Sequence, residues 1–197
     1  MSRSNRAVAG DADPLPRWLQ LGSLPVVAAI LVALNGLYIL FVAFGNITDY
    51  GTNQPFVEHV LSMDTTNFGA GEGQDLDSDV MWRAIDNRTL QNAAYVLIIV
   101  WESLTAIVLL GSLFYWVTER GRGYRIARAA SSMGLVMLLL LFMGGFIAIG
   151  GEWFQMWKSS DWNGLDSAFR VAVLAFISLV LIHIPSSHWN DMGPGSS

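Results

Sequence analysis

The chain has 197 residues, of which 53% are hydrophobic and only 14% charged, and it contains no cysteine. An ordinary soluble domain carries about 25% charged residues, so a water-soluble fold is disfavoured, and disulfides and thiolate metal sites are excluded. The formal net charge of -5 and a sequence pI near 5.0 give no reason to expect a nucleic-acid partner.

Residues 1–20 read as a polar, Pro-bearing tail with Arg3, Arg6 and Arg17 as its bases. The first apolar run, 24–44, is close to the ~20 residues that cross a ~30 Å hydrocarbon core. It starts too far into the chain, and is too long, for a cleavable signal, and no A-x-A site follows it. Asn35 falls about halfway along it.

The first connection, 45–92, is too long for a simple link. In TNQPFVEHVLSMD, Pro55 is near a helix start, and Phe56, Val57, Val60 and Leu61 are at helical spacing. A short interfacial helix with its apolar face toward the bilayer is expected. The Gly-rich acidic stretch NFGAGEGQDLDSD should then be mobile, and Val80 to Ile85 bring the chain back to the membrane. Its DLDSD imitates the start of a calcium loop, but Val80 stands where such a loop needs glycine and no closing Glu follows. Asn46-Ile47-Thr48 and Asn87-Arg88-Thr89 match the glycosylation pattern.

The second run, 93–117, contains Glu102, with Ser103 and Thr105 on neighbouring faces. A charged acid at mid-membrane costs about 2.5–3.5 kcal/mol or more. No Lys, Arg or His lies at that depth in any span, so the inexpensive state is the neutral acid, hydrogen-bonded to another helix. Counted from the span ends, Glu102 is at ~14 Å by helix rise, near the level of Asn35 and of Ser178 in the fourth span. These three form the expected intramembrane polar cluster. It is either a clamp between helices, worth about 0.6–2 kcal/mol, or a proton or cation site.

The loop 118–128 carries Arg120, Arg122, Arg125 and Arg128 against Glu119 alone. Basic residues flanking spans favour the cytoplasm. The termini and this loop are therefore expected inside, and loops 45–92 and 150–167 outside. The third run, 129–149, has Gly134, Gly144 and Gly145, which permit close helix approach through Ala130-xxx-Gly134 and Gly144-xxx-Ala148. The last span is 168–184, and a tail follows from 187 to 197.

Trp82, Trp153, Trp157 and Trp162 fall in the two outer loops and suit an interfacial aromatic belt. Asp49, His59, Asp64 and Glu152 are also near the outer face. Carboxylate with imidazole would suit a divalent transition metal, although capping of helix ends explains the same residues more simply. Haem is disfavoured, because His59 is outside while His183 and His188 are at the opposite end of the fourth span. No cofactor is expected, and no nucleophile elbow, phosphate loop or HExxH motif is present.

The stretches NITDYGTNQPFVEHVLSMDTT, MWRAI, Tyr95 to Glu102 and GGEWFQMWKSSDWNG, with AFR ending at Arg170, resemble a bacterial family of predicted small integral membrane proteins, domain of unknown function 2165. The resemblance covers most of the chain and implies a four-span architecture. It implies no activity, substrate or cofactor. The expected fold is an all-α, four-helix transmembrane bundle over 21–186, in the bacterial inner membrane, with an extracytoplasmic helix and loop cap. The expected function is that of a non-enzymatic accessory or interaction subunit, with a membrane-protein partner or a second copy at the cap. The alternatives are a small transporter or ion-coupled protein centred on Glu102, and a lipid-modifying or metal-dependent enzyme at the outer face.

Overall fold

In the computed structural model, residues 19–120 and 122–189 are described, and among them no strand occurs. Arg3, Arg6 and Arg17, and the tail from 190 onward, lie outside the described residues. Five α-helices follow in order: α1 (Leu24–Thr48), α2 (Tyr50–Ser62), α3 (Arg88–Thr118), α4 (Arg125–Leu139) and α5 (Leu165–His183). Helix α4 runs on directly into a π-helical segment, Leu140–Trp153. Among the described residues, four stretches are long and apolar enough to cross a membrane: α1, α3, α4 with its π-helical extension, and α5.

Local chemistry explains where these helices begin. Pro25 occupies the first turn of α1, where a missing N–H costs nothing. The side chain of Asn87 caps α3 by accepting from the N–H groups of Thr89 and Leu90, at 3.0 and 3.1 Å. Glu119 does the same for α4, its Oε2 accepting from Ile126 and Ala127 at 2.9 Å each. Only 28–33% of each apolar window is buried inside the bundle. Most of the apolar surface, including Phe41, Leu97, Ile107 and Phe176, therefore faces outward, as a hydrocarbon solvent requires.

The bundle packs α1 on α3, α3 on α4 and α4 on α5, and α5 closes back onto α1 with a thinner contact. Small residues set the closest approaches. A Cβ on Gly36 would stand 2.9 Å from the Leu110 side chain, and one on Gly134 only 2.6 Å from that of Leu109. Gly134 thus serves packing within the bundle. Gly144 meets nothing within 4 Å, so no close approach is made at Gly144 inside the bundle.

At the end bearing the arginine loop, the polar groups are closed upon one another. Ser112 and Ser131 share a 2.9 Å hydrogen bond, and Trp116 Nε1 donates to Ser131 at 2.9 Å. Trp116, Tyr124 and Trp189 pack against one another with ring centroids 5.4–6.2 Å apart. Trp189 is therefore docked on the bundle, and the segment expected as tail from 187 begins as a short turn, Ser187–Trp189. Gly123 makes this docking possible. It has φ of 82°, and a Cβ there would lie 2.7 Å from the Trp189 carbonyl oxygen.

The opposite end carries a cap. Helix α2 follows α1 after one residue and turns Phe56, Val57 and Leu61 toward Tyr95 and Ile99 of α3. It starts at Tyr50, so Pro55 is inside the helix and not near its start. The stretch expected to be mobile is folded on itself: Asn67 donates to the carbonyls of Gly71 and, at 2.7 Å, of Gln74, while the Gly73 N–H donates to the Asp64 carbonyl at 2.7 Å. Phe68 N–H to Lys158 carbonyl (3.0 Å), Thr65 to Ser159 (2.9 Å) and Lys158 to Asp77 (3.5 Å) join the two long loops.

Candidate functional site

Glu102 is 2% exposed and faces inward from α3. Its partner is neither Asn35 nor Ser178. Asn46 Nδ2 donates to Glu102 Oε2 at 2.8 Å, and Asn53 Nδ2 donates in turn to Asn46 Oδ1 at 2.8 Å. Asn35 instead donates to Ser178 Oγ at 3.0 Å and to its own Leu31 carbonyl at 2.8 Å. The expected three-residue cluster is therefore two separate ones.

Helix register explains the difference. Depth counted from the ends of the apolar runs takes those ends as flush, but α1 extends to Thr48 and α3 begins at Arg88. Gly36 packs on Leu109 and Leu110, which puts Asn35 near that level of α3. Glu102 is then about 11 Å nearer the cap by helix rise, opposite the last turn of α1. Trp101, next to it, donates from Nε1 to the Met137 carbonyl at 2.9 Å, just before the π-helical segment begins.

Glu102 and Asn46 line a cavity of about 310 Å³ that also involves Asn53, Tyr95, Asn163 and Ser167. Asn53, Asn163 and Ser167 are exposed at the cap end, whereas Asn46, Tyr95 and Glu102 are buried below them. The rings of Tyr38, Phe56, Tyr95, Phe142 and Phe146 form much of the wall. Tyr95 is 2% exposed, its ring lies 4.6 Å from that of Tyr50, and its hydroxyl has no partner. Among the described residues, no Lys, Arg or His lines the cavity. The arrangement offers a carboxyl, a phenol and amides to a small polar guest.

The other candidate residues occupy different parts of the cap. His59 and Asp64 come together, with Nδ1 2.9 Å from each carboxylate oxygen, and the His59 ring stacks on Trp162 at 4.6 Å. Asp49 and Glu152 do not join them. Asp49 is exposed and accepts from Thr52 at 2.7 Å, while Glu152 is exposed on the π-helical segment. Glu72, which the sequence did not single out, takes their place: one ligand atom each from His59, Asp64 and Glu72 lie within 4.8 Å of one another. These three could hold a metal ion, but the His59–Asp64 pair also satisfies itself.

The four tryptophans of the expected belt fall into separate contacts. Trp82 and Trp153 meet edge to face at 5.6 Å, and Arg83 lies over both, 5.5 and 5.0 Å from their centroids. Trp157 packs on Phe68, and Trp162 on His59 and Phe56. Both glycosylation-pattern asparagines have structural work: Asn46 holds Glu102, and Asn87 caps α3. His183 is bonded to Ser132 at 2.9 Å, far from His59 along the bundle.

The chain belongs to the family of predicted small integral membrane proteins, domain of unknown function 2165 (DUF2165), whose model matches residues 24–185. No curated protein and no solved structure matches it. Membership fits the four apolar helices and makes this a multi-pass helical membrane protein.

Proposed function

We propose that this member of the family binds a small polar solute from the extracytoplasmic side, in the cavity above Glu102, as the recognition step of transport or sensing. One observation carries the reading: the buried Glu102 carboxyl and the buried Tyr95, whose hydroxyl has no protein partner, belong to the lining of one cavity with exposed polar residues at its mouth. A purely structural clamp would leave neither group open, because an unsatisfied buried polar atom costs about 1–3 kcal/mol. In ligand sites, by contrast, a few convergent polar groups stand in a mostly apolar wall. The orientation rests on Arg120, Arg122, Arg125 and Arg128, which favour a cytoplasmic location for the loop opposite the cap. A bacterial inner membrane is the location in keeping with this arrangement.

Purification in mild detergent followed by native mass spectrometry tests the reading. A small molecule retained by the wild type at one equivalent, and lost in Glu102→Gln, is the expected result. A protein that carries only lipid and retains no solute from any cell extract would sink it. Orientation has its own test, eased by the absence of cysteine. Asp77→Cys should react with an impermeant thiol reagent added to intact cells, and Arg122→Cys should not.

A second reading, an accessory subunit that docks a partner on the cap, draws on Phe68 and Trp82, which are 70% and 69% exposed. Recovery of a stoichiometric protein partner that is lost in Phe68→Ser with Trp82→Ser would favour it over solute binding.

A further inference from the structure

Resting on the solute-binding reading, we infer that the cavity is built for an organic cation, a protonated alkylamine, whose ammonium group meets Glu102 and Tyr95. The lining supplies the argument. Its ionisable side chains are Glu102, Tyr38 and Tyr95, so a carboxylate is the one full charge it can present. Glu102 has one oxygen, Oε2, occupied by Asn46, and the other is without a protein partner. The Tyr95 oxygen, also without a partner, is a second acceptor for an ammonium N–H.

The walls fit the same guest. Five aromatic rings border the cavity, and aromatic faces attract a cation through their quadrupole, more strongly where water is excluded. The first turn of α5 also borders it, through Gly164, Ser167 and Ala168. Its partial positive charge is about half an elementary charge, which does not cancel a carboxylate. An anion would find no Lys, Arg or His among the described lining residues to pair with. A neutral alcohol would gain hydrogen bonds but neither the ion pair nor the ring attraction. At about 310 Å³ the volume is at the small end for ligand sites, so the carbon chain is short.

The test uses the full chain in nanodiscs and calorimetric titration with methylammonium, butylammonium and hexylammonium, each beside the matched alcohol and carboxylate. At least one ammonium should bind, with its alcohol and carboxylate weaker by about tenfold or more, the range of a charge-assisted hydrogen bond. Glu102→Gln should remove that preference. An alcohol or carboxylate that binds as tightly as its ammonium would overturn the inference while leaving solute binding intact. If no probe of any class binds the wild type, the solute reading fails with it. The comparison on the wild type does not depend on whether the variant folds.

Discussion

The two ends of the bundle treat buried polar groups in opposite ways. At the arginine-loop end, Ser112, Ser131 and Trp116 form a closed set, and Arg128 donates to the Ile182 carbonyl at 2.7 Å while it lies over the Trp189 ring at 4.9 Å. At the cap end, Arg83 Nε, Tyr95 Oη and Gln155 Oε1 are buried without partners. The cap is not loosely made, since its two long loops are joined by backbone, hydroxyl and ion-pair contacts. Closed networks act as stitching between helices, whereas an open group in a cavity lining, here Tyr95, is available to something else. The same side-chain chemistry therefore implies stability at one end and recognition at the other.

Substitutions can break or sharpen this contrast. The largest effect is expected from Trp116→Ala, which removes a 6% exposed ring packed on Tyr124 and Trp189. Truncation of a buried tryptophan costs about 3–5 kcal/mol, and the thermal midpoint in detergent should fall steeply. Ser131→Ala comes next. It strips Trp116 Nε1 of its acceptor and leaves Ser112 only its bond to the Leu109 carbonyl, so a loss of about 1–3 kcal/mol is expected from chemical unfolding. If Ser131→Ala is neutral, the closed network is not what holds that end together.

Asn46→Leu transfers the question to the cap. It removes the donor to Glu102 and the acceptor for Asn53 while keeping the branching of the side chain. Hydrogen bonds between membrane helices are worth about 0.6–2 kcal/mol, so the stability loss should be of that order and smaller than for Ser131→Ala. Solute binding should fall more than stability, because Glu102 loses the group that orients it. A loss of stability with binding unchanged would mean that Asn46 is only a clamp.

The four spans were legible because hydrophobic run length reports a membrane directly. Glu102 stood out because an acid inside such a run has few inexpensive explanations. Its partner was hidden by helix register, which apolar run length does not encode. Yet a signal existed: Ile39, Ala43 and Asn46 follow the helical spacing of the buried stripe that starts at Pro25 and runs through Ala28 and Val32. Extending that stripe past the end of the apolar run puts Asn46 on the inward face, where the N-x-T pattern points instead to the surface. Glu72 could not be found this way. It reaches His59 and Asp64 only because the backbone around Gly69, Gly71 and Gly73 adopts positive φ, and that loop path has no sequence period. The π-helical segment was equally hidden, since an apolar run reads the same at either helical pitch.

The smallest effect on stability, and the sharpest test of the contrast, is expected from Tyr95→Phe. The ring is fully packed and stays so, with Tyr50 4.6 Å away. Only the hydroxyl goes, and that hydroxyl has no partner to lose. Burying it unsatisfied opposes folding by up to about 1–3 kcal/mol, less whatever cavity water recovers. The substitution should therefore leave the thermal midpoint unchanged or raise it, the reverse of what Ser131→Ala does at the other end. If the hydroxyl serves a bound ammonium, the same variant should weaken alkylammonium binding by about threefold to tenfold, the worth of one hydrogen bond. A midpoint lowered as far as in Ser131→Ala would show that Tyr95 is already satisfied in the folded protein. The cap would then be closed in the same way as the opposite end.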